Sequence, residues 1–191
     1  DWEGNNGVCT RKLFVSSTDN LVVLKFSADG GASINTTLSL WKIIRHDVGR
    51  IEKFNLDDNF CIKKVESGTM DNGLYFKAWY ERPWEFESRK SFKGYEGVVQ
   101  VLRSDGKIEM DSDRLILRDA TDVLIVARIE PSDNMEESRV LEMSNALKSY
   151  DGTYDELLAV HKKIHKELFE RVSIDLDASE EDRMKSSEEL L

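Results

Sequence analysis

The stretch KLFVSSTDNLVVLKFS, residues 12–27, gives the clearest indication of the fold class of this chain. Two runs rich in β-branched and aromatic residues flank a polar turn at residues 18–20, which is the pattern of a β-hairpin. After the turn residues Asp-Gly-Gly at 29–31, apolar and polar side chains alternate through SINTTLSLW, residues 33–41. Three successive antiparallel strands are therefore predicted at the start of the chain.

The same period of two continues toward residue 130, after a stretch at 41–70 whose pattern is ambiguous. Turn signals separate the short apolar runs LYFKAWYE (74–81), EGVVQVLR (96–103), KIEM (107–110), DRLILRD (113–119) and DVLIVARIE (122–130). Short strands spaced in this way favour a β-sandwich over alternating strand and helix units. The sequence predicts a mainly β protein, with an antiparallel β-sandwich body over residues 1–130.

The last third of the chain changes to helical spacing. Apolar residues recur at steps of three and four over 135–148, and Thr153 with Glu156 forms a capping box that opens a second helix. An alternating run at about 171–176 predicts one strand, and a third helix is predicted after Ser179. Residues 131–191 are thus expected to form a connector of two or three helices and one strand, packed on the sandwich.

Composition limits the classes of function. The 191 residues include 37 acidic and 27 basic side chains, so the net charge of -10 disfavours nucleic acid and anionic membranes as partners. No apolar run approaches the ~20 residues that span a bilayer, and the N-terminal sequence lacks a signal-peptide pattern. We expect a soluble protein, cytoplasmic or secreted, whose first residues look cut from a longer chain. Cys9 and Cys61 could be free or bridged.

The residue types offer little for catalysis. His161 and His165 have the spacing of a zinc-binding helix, but the position after His161 is Lys162 where the zinc motif has Glu. The motifs of nucleophilic hydrolases, P-loop enzymes and zinc ribbons are absent, and spacing alone cannot select a catalytic pair among 37 acids. The sequence predicts no metal site, no cofactor and no catalytic residue.

An aromatic cluster around Pro83 is the best candidate for contact with a ligand. It contains Trp79, Tyr80, Trp84 and Phe86. Sugar rings present apolar C–H faces that stack on aromatic planes, so these side chains could bind carbohydrate. Core packing is the alternative, and it is favoured for Trp79, whereas Trp84 is expected in a loop.

Three longer segments carry a resemblance to a known family. They are CTRKLFVSSTDNLVVLKFSADGGASINTTLSL (9–40), GLYFKAWYE (73–81) with GKIEMDSDRLILRDATDVLIVARIE (106–130), and YDELLAVHKKIHKELFERVSIDL (154–176). The last is similar to a Y-x-x-L-x-x-x-H…L-F-x-R-V-x-L-x-L signature. In this order the segments resemble the N-terminal super-sandwich domain of glycoside hydrolase family 95, the α-L-fucosidase and α-L-galactosidase family. Residues 81–93 depart from the family pattern as an insertion, and the family's opening strands are missing.

The resemblance implies a non-catalytic domain. Family members place their catalytic residues in an (α/α)6 barrel that follows the sandwich, so that barrel of the same parent chain and a carbohydrate substrate are the implied partners. The second helix is then a structural connector, with His161, Leu168, Phe169 and Arg171 at positions that match the signature. If its apolar stripe covers the sandwich, Leu168 and Phe169 are buried and His161 forms a hydrogen bond to the sheet below. A carbohydrate-binding module that uses Trp79 to Phe86 is the alternative.

Overall fold

A computed structural model describes residues 2–4, 7–16, 18–40, 62–85 and 91–171. This part of the chain contains ten strands followed by two helices. The strands are β1 (Trp2–Gly4), β2 (Gly7–Ser16), β3 (Leu21–Ala28), β4 (Ile34–Ser39), β5 (Ile62–Met70), β6 (Gly73–Glu85), β7 (Ser91–Ser104), β8 (Lys107–Asp111), β9 (Arg114–Ala120) and β10 (Asp122–Ser132). The helices are α1 (Val140–Lys148) and α2 (Tyr154–Phe169).

The strands form two antiparallel sheets. Within the described ranges the larger sheet has the order β1-β2-β3-β10-β7-β6-β5, and the smaller sheet has the order β4-β9-β8. The predicted first hairpin is present, since Phe14 of β2 pairs with Val23 of β3 and Asn20 in the turn has a φ of 53°. The prediction of a mainly β, antiparallel sandwich is confirmed.

One hydrophobic core fills the space between the two sheets. The larger sheet contributes Cys9, Leu74, Val101, Val123 and Ile125, and the smaller sheet contributes Ile34, Leu115, Leu117 and Ala120. Successive side chains of a strand point to opposite faces, so only every second residue of these strands can reach this core. Cys9 is a free thiol buried here, whereas Cys61 lies outside the described residues.

A second core lies on the opposite face of the larger sheet, under the two helices. The sheet contributes Phe14, Leu21, Val23, Val98, Leu124 and Val126, and the helices contribute Val140, Met143, Leu147 and Tyr154. The central strand β10 therefore has both faces covered, and its residues 123–126 are all buried. This explains why the sequence of β10 is a continuous apolar run without alternation.

The sequence predictions near these elements have different outcomes. The capping box is confirmed, because the Thr153 side chain accepts the N–H of Glu156 and the Glu156 side chain accepts the N–H of Thr153. The loop predicted at Trp84 is wrong, because Trp84 is part of β6 and pairs with Phe92 of β7. The strand predicted at about 171–176 extends beyond the described residues, and the third helix lies wholly outside them.

Neither described helix is long and apolar enough to cross a membrane.

Candidate functional site

The predicted aromatic cluster lies at the end of β6, where strand geometry separates its members. Tyr75 of β6 packs in the core under the helices, whereas Leu74 packs in the core between the sheets. Because successive side chains of a strand point to opposite faces, Trp79 lies on the helix side and Tyr80 lies on the side of the smaller sheet. These two rings cannot stack on the same sugar face.

Tyr80 belongs to a group of three rings on the side of the smaller sheet. Its ring centroid lies 5.9 Å from that of Tyr95 on β7, and Tyr95 lies edge-on to Phe76 at 5.4 Å. Burial raises the pKa of the Tyr80 hydroxyl, and the neighbouring Tyr95 adds to the shift. Burial also raises the pKa of Tyr95. Both shifts reflect the partial burial of these two rings.

A glycine makes this ring arrangement possible. Gly97 of β7 pairs with Phe76 of β6, and a Cβ atom added at Gly97 would lie 2.2 Å from Cε1 of the Phe76 ring. The ring therefore occupies the space that a side chain at position 97 would fill. Sequence analysis missed Phe76 and Tyr95, because their proximity depends on the pairing of β6 with β7 and not on their spacing in the chain.

Trp79 has a different neighbour. On the helix side of the larger sheet, Nζ of Lys64 from β5 lies 4.7 Å from the centroid of the Trp79 ring, within the range of a cation–π contact. Trp84 continues β6, but its side chain is not described, and Phe86 lies outside the described residues. Trp79 and Tyr80, the two predicted sugar-contacting residues whose side chains are described, therefore lie on opposite faces of the sheet. Each contacts a different neighbouring residue.

Helix α2 carries a row of neighbouring aromatic rings that begins at the sheet. Phe14 of β2 stacks with His161 at 5.2 Å, His161 lies 5.4 Å from His165, and His165 stacks with Phe169 at 5.9 Å between ring centroids. Phe14 also meets Tyr154 edge-on at 5.4 Å. His161 thus contacts the sheet through ring stacking, and its imidazole has no hydrogen bond to a described residue.

The predicted burial at the end of α2 is wrong. Leu168 is 56% exposed and Phe169 is 74% exposed, whereas Tyr154 in the first turn is buried. Leu157 and Leu158 still pack against the sheet core, so it is the first half of the helix that covers β2 and β3. Arg171 follows the helix and forms an ion pair with Glu167 at 2.9 Å on its own surface. The amphipathic stripe therefore extends further than the sheet beneath it.

The described residues show no assembled metal or catalytic cluster. No group of three or more His, Cys, Asp or Glu side chains converges there in a way that could hold a metal ion. A cleft of about 490 Å³ lies at the end of β7, lined by Arg103 and Asp105 among others. Asp105 accepts the N–H groups of Thr121 and Asp122, and Arg103 donates to the carbonyl of Asp151. These bonds occupy the charged groups of the cleft.

Comparison with known proteins adds no assignment. No protein-family model matches this chain, and none of the curated proteins is significantly similar to it.

Proposed function

We propose that this chain is a non-catalytic β-sandwich domain of a glycoside hydrolase that resembles family 95, and that its parent protein hydrolyses α-L-fucosyl or α-L-galactosyl linkages. The proposal rests on the order of the three resembling segments and on an antiparallel sandwich followed by a connector helix. Its partners are then the (α/α)6 catalytic barrel of the same parent chain and the carbohydrate substrate bound by that barrel. No cofactor is required.

The exposed end of α2 is the observation that carries this proposal. The helix is held at its start by Tyr154 and Phe14, yet it ends in the exposed apolar side chains of Leu168 and Phe169. Exposed apolar residues that are adjacent on a helix are suited to burial by a further structural unit. A helix fixed on the sandwich at one end and apolar at the other is what a connector to a second domain requires.

The test compares the 191-residue chain with the full-length protein encoded by its reading frame. Both are incubated with aryl α-L-fucoside and aryl α-L-galactoside, and release of the aryl group is measured. We expect turnover by the full-length protein and none by the 191-residue chain. Turnover by the chain alone, abolished by a carboxylate substitution within it, would contradict the proposal, as would an inactive full-length protein.

A pair of variants in the full-length protein tests the role of α2. Phe169→Ser should lower the thermal stability of the protein, because the proposed interface buries that ring. Leu141→Ser is the matched control. Leu141 is also an exposed apolar residue, at 64% exposure, but it lies on α1 and not at the end of α2. Equal melting temperatures for Phe169→Ser and the unsubstituted protein would argue against a domain interface at this position.

A further inference from the structure

The chain contains one triplet of the form that receives an N-linked sugar. Asn35-Thr36-Thr37, within β4 of the smaller sheet, is the only Asn-x-Ser/Thr sequence among the 191 residues. Asparagine in such a triplet accepts an oligosaccharide on its side-chain nitrogen when the middle residue is not proline. The triplet is frequent by chance, so an actual site also requires that both functional side chains are accessible in the folded protein.

The pleat of β4 turns these two side chains away from the core. Ile34 is buried in the core between the sheets, and Thr36 pairs with the buried Leu117 of β9. Because successive side chains of a strand point to opposite faces, Asn35 and Thr37 lie on the outward face of the smaller sheet. Both residues are exposed. The folded strand therefore leaves the acceptor and its hydroxyl partner accessible.

The side-chain amide of Asn35 has a fixed orientation. The register of β4 with β9 shifts at this residue, where Asp119 of β9 has a φ of 53°. The N–H of Asp119 donates to Oδ1 of Asn35 at 3.1 Å, and Nδ2 donates to the hydroxyl of Ser33 at 2.9 Å. Since Nδ2 carries two hydrogens, a sugar can replace the second one. The oxygen is untouched by this change, so the bond from Asp119 is kept.

The surroundings of Asn35 suit a sugar. Arg118 of β9 is exposed and forms an ion pair with Glu109 of β8 at 3.3 Å, and Lys107 of β8 pairs with Arg118 across the two strands. These side chains can form hydrogen bonds to the hydroxyl groups of a sugar ring that lies over this face.

The outward face of the smaller sheet is also remote from the helical layer. The helices pack on the opposite face of the larger sheet, so the larger sheet and the core between the sheets separate Asn35 from α2. A glycan on Asn35 therefore leaves the exposed end of α2 available for contact with a further domain.

We propose that Asn35 is the attachment site of an N-linked oligosaccharide. A transferase moves the sugar from a lipid diphosphate donor. The bond between C1 of the sugar and the diphosphate oxygen breaks, a bond from C1 to Nδ2 of Asn35 forms, and the amide releases a proton. The hydroxyl of Thr37 is the second group that defines the acceptor triplet. The site implies synthesis of the protein into the secretory pathway, and it is independent of the proposed hydrolase function.

The first test directs the 191-residue chain into the endoplasmic reticulum of cultured eukaryotic cells by an added, cleavable signal peptide. Its mobility in a denaturing gel is measured before and after treatment with peptide N-glycosidase. We expect one slower band that the enzyme converts to the mobility of the unmodified chain. Mass spectrometry then identifies the position, because the enzyme converts a sugar-bearing asparagine to aspartate. No shift, or conversion at an asparagine other than Asn35, would overturn the proposal.

Variants of the triplet separate the modification from the fold. Thr37→Ala removes the hydroxyl and should abolish the glycan, whereas Thr37→Ser keeps a hydroxyl and should retain it. Thr36→Ala, at the middle position, is the matched control and should be modified like the natural chain. If Thr37→Ala fails to fold, as judged by circular dichroism, the mass of the Asn35 peptide from the natural chain decides instead. A glycan that persists in Thr37→Ala would contradict the assignment.

The second test uses the full-length protein isolated from the cells that make it naturally. Peptide mapping before and after treatment with peptide N-glycosidase shows whether Asn35 carries a sugar there. A modified Asn35 supports the proposal, and an unmodified Asn35 overturns it even if the chain accepts a glycan in the first test. The activity of the full-length protein toward aryl α-L-fucoside bears on the proposed function alone.

Discussion

The carboxylate of Glu96 on β7 accepts the backbone N–H of Arg139, at the amino terminus of α1, at 2.9 Å. Its other oxygen accepts the hydroxyl of Ser138 at 2.7 Å, and the side chain is 1% exposed. Arg139 is the N-cap residue and provides no side-chain cap of its own. A strand of the sheet therefore caps the helix that packs on it, and the negative charge is favourable at this end of the helix.

Glu96→Ala should lower the free energy of unfolding by about 1–3 kcal/mol, because it leaves the N–H of Arg139 and the hydroxyl of Ser138 without their acceptor. Glu137→Ala, at an exposed position before the same helix, is the control and should have little effect. Urea denaturation followed by tryptophan fluorescence measures both. Equal midpoints for the two variants would show that the sheet does not fix α1 through Glu96.

Gly97→Ala should destabilise the protein by about 1–3 kcal/mol, because the new methyl group needs the space that the Phe76 ring occupies. In a Phe76→Ala background the same change should cost much less, since that ring is gone. A double-mutant cycle of thermal or urea unfolding isolates the coupling between the two positions. Additive effects of the two substitutions would refute the contact.

Asp105 should make stability depend on acid pH. Hydrogen bonds from the N–H of Asp122 and from Thr121 lower the pKa of its carboxyl from 3.8 to about 2. A carboxyl group whose pKa is lower in the folded than in the unfolded protein stabilises the folded state while it is ionised. This stabilisation is present above about pH 4 and is lost as the pH falls toward about 2. The difference in unfolding free energy between the natural protein and Asp105→Asn should thus be largest near neutral pH. It should decrease as the pH falls from about 4 to about 2. A difference that stays constant to the lowest pH would contradict the assignment.

Two leucines provide a matched test of the helical layer. Leu147 of α1 is fully buried, so Leu147→Ala should cost ~2–5 kcal/mol, whereas Leu168→Ala should change stability by less than ~0.5 kcal/mol in the isolated chain. Hydrogen exchange should show the same contrast within α2, with protection near Tyr154 and rapid exchange near Phe169. Strong protection of the last turn would indicate a contact that covers it.

Local patterns predicted most of the strands and both described helices, because their causes are local, but they did not predict β1, β5 or the strand at Trp84. The turn at Asn20 and the capping box of Thr153 and Glu156 depend on residues a few positions apart, so each could be recognised from sequence alone. The alternation along the first hairpin likewise gave the correct pairing partner. The run at 122–130 was correctly assigned as a strand. Its apolar residues do not alternate with polar ones, because both faces of this strand are buried.

The candidate site was less predictable, because proximity in sequence is not proximity on a surface. Trp79 and Tyr80 are adjacent in the chain, yet the pleat of β6 sends them to opposite faces. Phe76 and Tyr95 are far apart in the chain, yet the β6–β7 pairing brings their rings together. The capping of α1 by Glu96 gave no sequence signal, since the two elements are joined only by the packing of the helix on the sheet.

A mainly β chain with two amphipathic helices could be predicted from consecutive residues, because periodicity and end signals are local properties. Which apolar faces are covered follows only from the packing of the elements. The stripe of α2 continues to Leu168 and Phe169 without a break in its pattern, but its first half packs on β2 and β3 and these two side chains are exposed. Burial depends on what lies opposite a residue, and in this fold the opposing strands come from distant parts of the chain.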